Sequence, residues 1–212
     1  MASLLCPALV LFAARLSGFA VGLLVLFWVL HPLLMVIGFI LLSGEAILVH
    51  RWLPGSMGLK KSVHLGLQGV ALASGIFGIW TKFQGKDGIV ANFYSLHSWM
   101  GLICISLFGI QWLLGFLNFW HRREAKIARI KILPWHVFLG LYTYALAVAT
   151  AETGLLEKLA FIQSKRNNVS KHSTESLLVN SLGLFLAMLS GFVILAAVSP
   201  KYGYHTLQSR QH

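Results

Sequence analysis

Four histidines carry the chemistry this sequence offers. His31, His64, His97 and His136 are separated by 33, 33 and 39 residues. Each interval is about one membrane crossing plus a connection, and each histidine stands at or within the beginning of its own apolar run. An imidazole inside a bilayer is uncommon and marks a functional position. Successive runs cross in opposite directions, so the histidines alternate between leaflets. His31 and His97 belong to the outer one, and His64 and His136 to the inner one. Two imidazoles facing each other across a bundle core suit the axial positions of one haem iron. Two stacked pairs suit two haems. Gly101 and Gly140 stand four residues after His97 and His136. That spacing keeps them on the same helix face as the ligands, leaving room for a flat porphyrin. Zinc needs three or four ligands close together, whereas these four divide between leaflets. No CxxCH is present for covalent haem attachment.

The elements that must position these residues are transmembrane helices. The 212 residues are 57% hydrophobic and 11% charged, with mean hydropathy +0.76. Soluble chains carry about 25% charged residues. The composition predicts one compact multi-span bundle without a separate soluble domain, a single unit over 1–212. Apolar runs predict spans at about 62–81, 95–119, 134–155 and 176–199. From Leu16 to Gly44 there is no Asp, Glu, Lys or Arg, and Pro32 interrupts this stretch. Proline suits a first helical turn and disfavours helix just before it. The pattern therefore predicts helices at 14–30 and 32–50 with a seam at His31, six in all. The alternative is one kinked helix across the seam, giving five.

The formal charge of +11 is a topology signal rather than a nucleic-acid surface. Arg51, Lys60 and Lys61 follow the second span. Arg122, Arg123, Lys126, Arg129 and Lys131 follow the fourth, and Lys201 and Arg210 lie in the tail. With six spans these fall on the cytoplasmic side together with both termini. Asn168-Val169-Ser170 is an N-glycosylation sequon that would lie on the opposite side. Cys6 and Cys104 give no disulfide framework, and Cys104 is expected as a small core residue. His50, His121, His172, His205 and His212 are expected at helix ends or in loops.

The segments "HPLLM", "GEA", "LKKSVHLGLQ", "NFYSLHSW", "LPWHVFLG" and "GLLEKL" resemble the cytochrome b561 family, particularly its plant members. The resemblance runs from about Arg15 to Lys201. It implies six transmembrane helices, two non-covalent b-type haems and, frequently, a homodimer in the lipid bilayer. His31 and His97 resemble the ligands of the non-cytoplasmic haem, and His64 and His136 those of the cytoplasmic haem. Lys61 and Arg129, with Lys60 beside them, resemble the basic residues that hold ascorbate. Arg51 resembles a haem-propionate contact. Asn92, Phe93, Tyr94 and Ser95 resemble a segment lining the outer haem. Glu157 resembles a carboxylate near that haem, and Lys201 a C-terminal haem contact.

The family's implied activity is that of an oxidoreductase, an ascorbate ferrireductase. One electron passes from cytosolic ascorbate to monodehydroascorbate or a ferric chelate on the other side. Plant relatives suggest the vacuolar membrane, with endosomal and plasma membranes as alternatives. Relatives usually have a longer loop before the "HP" motif, whereas here "FWVL" runs straight into His31. Two competing expectations stand beside this reading, the first made credible by that departure. One is a loop-deleted variant keeping only the cytoplasmic-side haem. The other is a non-redox, histidine-containing metal transporter.

Overall fold

The computed structural model describes residues 29–83, 93–121, 126–165 and 173–200. Among them, five helices are long and apolar enough to cross a membrane. We number them α1 (Val29–Trp52), α2 (Met57–Phe83), α3 (Leu96–Phe116), α4 (Lys126–Lys165) and α5 (Thr174–Val198). This is a multi-pass membrane protein. The expected six-helix bundle is corrected to five spans among the described residues. Residues 14–28 of the expected first helix lie outside them. Residues 29 and 30 belong to α1 itself.

The expected seam at His31 does not exist. Helix α1 runs unbroken from Val29 through His31 and Pro32. Pro32 lies within the described helix, which continues through it without a break. The irregularity comes one turn later. Leu34–Leu41 is a π-helix, with i→i+5 bonds in place of i→i+4.

Three other helices start earlier than the apolar runs suggested, because polar residues extend them. Ser56 receives Leu59 N–H on its hydroxyl at 3.2 Å and Lys60 N–H on its carbonyl at 3.1 Å. This cap brings Lys60 and Lys61 into α2. Helix α4 begins two turns before Pro134, at Lys126. An interior proline removes one hydrogen bond, but here it does not end the helix. Arg129 and His136 therefore share a rigid helix, seven residues and about two turns apart. Ser173 caps α5 by accepting Ser176 N–H at 3.2 Å. Helix α3 ends close to expectation and continues as a π-turn over Leu117–His121.

The core joins α1, α3, α4 and α5 through Phe39, Ile40, Cys104, Tyr144, Val148 and Leu186. Cys104 is 2% exposed, the core position expected of it. Outward faces carry Leu, Phe, Trp and Ile, as suits surfaces that meet lipid rather than water. Helices α1 and α2 touch most closely at Gly38. A methyl group added there would come within 2.5 Å of Ser74 Cβ. Such overpacking typically costs about 1–3 kcal/mol. Gly38→Ala should therefore lower the thermal unfolding temperature in detergent, and Gly38→Ala with Ser74→Gly should recover it.

Candidate redox site

The four histidines meet in the two expected pairs. The His31 and His97 ring centroids are 6.3 Å apart, at an interplanar angle of 89°. Those of His64 and His136 are 6.4 Å apart, at 67°. Two metal–imidazole bonds of about 2.0 Å plus two ring radii of roughly 1.1 Å span about 6.2 Å. Each pair is thus spaced to take one metal atom between its rings. No group of three or more His, Cys, Asp or Glu able to hold a bare ion occurs among the described residues. The protein supplies two ligands per level, and the remaining ligands must come with the metal.

Hydrogen bonds to the far side of each ring orient it. His31 Nδ1–H donates to Gly78 O at 2.8 Å. His64 Nδ1–H donates to Ala46 O at 2.7 Å, and His97 Nδ1–H to Thr150 O at 2.8 Å. A carbonyl can only accept, so the proton sits on Nδ1 and Nε2 keeps its lone pair. His136 differs. Its Nδ1 faces the Gln111 side-chain amide nitrogen at 2.9 Å, and that nitrogen also donates to His136 O at 2.6 Å.

These contacts form a reciprocal scheme. Helix α1 supplies His31 and the carbonyl that holds His64, while α2 supplies His64 and the carbonyl that holds His31. Helices α3 and α4 repeat the arrangement with His97, Gln111, His136 and Thr150. Within a helix, the ligand and the group serving the other level are fourteen residues apart in α2 (64 and 78), α3 (97 and 111) and α4 (136 and 150). In α1 they are fifteen apart (31 and 46), and the π-helix lies between them. The wider π turns absorb the additional residue.

Two glycines missed in the sequence complete the ring pockets. A methyl at Gly154 would lie 2.7 Å from His97 Cε1, and one at Gly115 would lie 2.8 Å from His136 Cε1. The glycines expected to make room stand in looser surroundings. A methyl at Gly101 would meet Thr150 Cγ2 at 3.7 Å, and one at Gly140 would meet Gln111 Nε2 at 3.6 Å. Both face neighbouring helices. No sequence signal joins Gly154 to His97 or Gly115 to His136, because each contact crosses between helices. His50 lies in the last turn of α1, as expected, and its ring centroid is 5.4 Å from that of His64.

The other expected site residues separate by role. Lys60, Lys61 and Arg129 lie at the His64/His136 end of their helices. Arg129 Nε is buried with no hydrogen-bond partner. Arg51 Nη2 donates to Ala197 O and Ser199 O, both at 2.5 Å, closing the C-terminus of α5. Ser95 caps α3 by accepting Ser98 N–H at 3.3 Å. Phe93 packs between Phe83 and Trp99. Tyr94 is 83% exposed, and Glu157 is exposed on α4. Asn92, Lys201 and the sequon at Asn168 lie outside the described residues.

A family model for eukaryotic cytochrome b561 matches residues 30–162, which include all four histidines. The chain belongs to the cytochrome b561 family. It is 63% identical to the probable transmembrane ascorbate ferrireductase 4 of Arabidopsis thaliana, over 94% of this chain and 89% of that protein. It is 43% identical to the transmembrane ascorbate ferrireductase 2 of the same plant, over 89% of this chain and 90% of that one. A plasma membrane ascorbate-dependent reductase of Xenopus laevis is 33% identical over 81% of this chain and 62% of its own length. These likenesses support an oxidoreductase role in a membrane electron-transfer family.

The fifteen-residue interval in α1 makes a test. Ile37 lies in the π-helix and is 52% exposed, while Val70 lies in regular α2 and is 53% exposed. Deleting Ile37 should leave a monodisperse, folded protein, because α1 then has the common fourteen-residue interval. Deleting Val70 should cause aggregation on size-exclusion chromatography, because α2 has no additional residue to lose.

Proposed function

We propose that the chain carries single electrons across the membrane, from ascorbate at the basic end to monodehydroascorbate or a ferric chelate at the other. The carrying observation is the pair of imidazole gaps, 6.3 and 6.4 Å between centroids, with three of the four rings held as Nε2 lone-pair donors. Haem suits this donor set, since its porphyrin supplies the four ligands the protein lacks. His64 and His136 would hold one haem, and His31 and His97 the other. Bound there, each haem takes up and releases one electron at a time without covalent change. Two protein ligands per iron leave no open position, which favours electron transfer over oxygen chemistry.

The protein's own residues do the rest. Ascorbate is an anion at neutral pH, and the entrance beside His64 and His136 is cationic. Lys60 and Lys61 lie in the opening turns of α2, whose N-terminus adds the positive end of a helix dipole. Arg129 presents a buried N–H without a protein acceptor, available to a bound carboxylate or enolate oxygen. Such an arrangement raises the local concentration of an anionic donor. The apolar outer faces keep the two levels inside lipid, so electrons cross the bilayer only along the core. In this proposal the chain lies in the vacuolar membrane as a homodimer, following the family resemblance.

Purified protein should contain two haems per chain, both reduced by ascorbate. Haem quantitation and the reduced absorption spectrum measure this, and a haem-free protein would overturn the reading. Gly154→Ala should remove the His31/His97 haem selectively and leave one haem per chain. Separately, Lys61→Ala or Arg129→Ala should raise the ascorbate KM by roughly tenfold at low salt. The Lys61 effect should shrink as salt screens this partly exposed charge, which stopped-flow reduction at two ionic strengths would show.

A further inference from the structure

Three of the four imidazoles rest on main-chain carbonyls, which no side-chain substitution removes. The fourth, His136, rests on a side chain. The Gln111 amide nitrogen reaches both Nδ1 and the carbonyl of His136, at 2.9 and 2.6 Å. The α4 backbone passes close beside the amide at Gly140, where a methyl would stand in ordinary contact, 3.6 Å from Gln111 Nε2. Gln111 also stands at the position in α3 that corresponds to Gly78 in α2 and Thr150 in α4, fourteen residues from a ligand.

We propose that Gln111 is the positioning residue for His136 and sets that ligand's donor strength toward the metal it shares with His64. An amide has two faces. With its nitrogen toward Nδ1 it donates, and the ring proton must sit on Nε2, where it blocks a metal. With its oxygen toward Nδ1 it accepts, the proton sits on Nδ1, and Nε2 is free to bind. Metal binding at Nε2 therefore selects the oxygen-facing amide, which gives up the nitrogen's donation to His136 O and moves off that carbonyl. Gln111 then does for His136 what backbone carbonyls do for the other three rings. Such outer partners fix ring orientation and raise ligand basicity, one of the protein's means of setting a haem potential. The His64/His136 level is thus adjustable through one side chain, and the other level is not.

This inference rests on haem occupying both levels, and the test separates the two ideas. Spectroelectrochemical titration and low-temperature EPR would be run on full-length, haem-loaded wild type, Gln111→Leu and Gln111→Glu. His31→Ala identifies which signal belongs to which level. Gln111→Leu removes the acceptor and should raise the potential of the His64/His136 haem and shift its low-spin EPR signal. Gln111→Glu, nearly isosteric and a stronger acceptor, should lower that potential. The other haem should stay at its wild-type values in both. Wild type without haem would overturn the functional proposal. Wild type with two haems, but with neither variant moving the His64/His136 potential or signal, would overturn only the role of Gln111. Equal shifts of the same sign in both variants would also overturn it, since they indicate loss of packing. Should Gln111→Leu not fold, the Gln111→Glu shift decides alone.

Discussion

Everything in this bundle depends on a backbone carbonyl accepting a proton from an imidazole across a helix–helix contact. Inside a bilayer no water can satisfy the second ring nitrogen, so the protein must do so. In α1 and α2 the solution is mutual, with each helix offering a carbonyl to the other's histidine. Helices α3 and α4 repeat it with one change, an amide side chain at Gln111. The consequences are structural as well as chemical. These bonds lock the helices in axial register. They also hold each ring plane and leave Nε2 free of the proton in three of the four rings. Ring position is then enforced from behind by Gly154 and Gly115, where any side chain would occupy the space of an imidazole edge.

The basic end shows how the same helices serve two purposes. Helix α4 continues two turns past His136, and this extension sets Arg129 on the ligand's own face rather than in a loop. The early start of α2 does the same for Lys60 and Lys61. Charges on rigid helix turns lose less freedom on meeting an anion than charges on loops would. Arg51 lies at the same end but closes α5. It ties the fifth helix, which supplies no ligand, to the ligand-bearing bundle.

The four histidines and their alternation between ends were legible in the sequence because they depend only on chain direction and spacing. Family membership was legible because local motifs such as "HPLLM" and "LPWHVFLG" survive intact. The count of spans was not. Between Leu16 and Gly44 nothing charged punctuates the chain, and Pro32 reads equally as a break or as the opening turn of a helix. The continuous helix through His31 and Pro32 removes the break there. Gly101 and Gly140 were picked out by the i, i+4 rule, which describes one helix face, whereas the close fits at Gly154 and Gly115 are set by the opposite helix. Gln111 was invisible for the same reason. An amide in an apolar run declares itself polar but does not name its partner.

The fourteen-residue interval has a consequence for how such a chain can change. At about 1.5 Å of rise per residue it separates the two levels by about 21 Å, and three helices set that length independently by residue count. No single helix can therefore be lengthened or shortened without losing the match to the others. The fifteenth residue of α1 shows the available escape. A run of π-helix hides an insertion as extra girth, leaving the height unchanged. The distance between levels is thus more strongly protected than the number of residues that spans it.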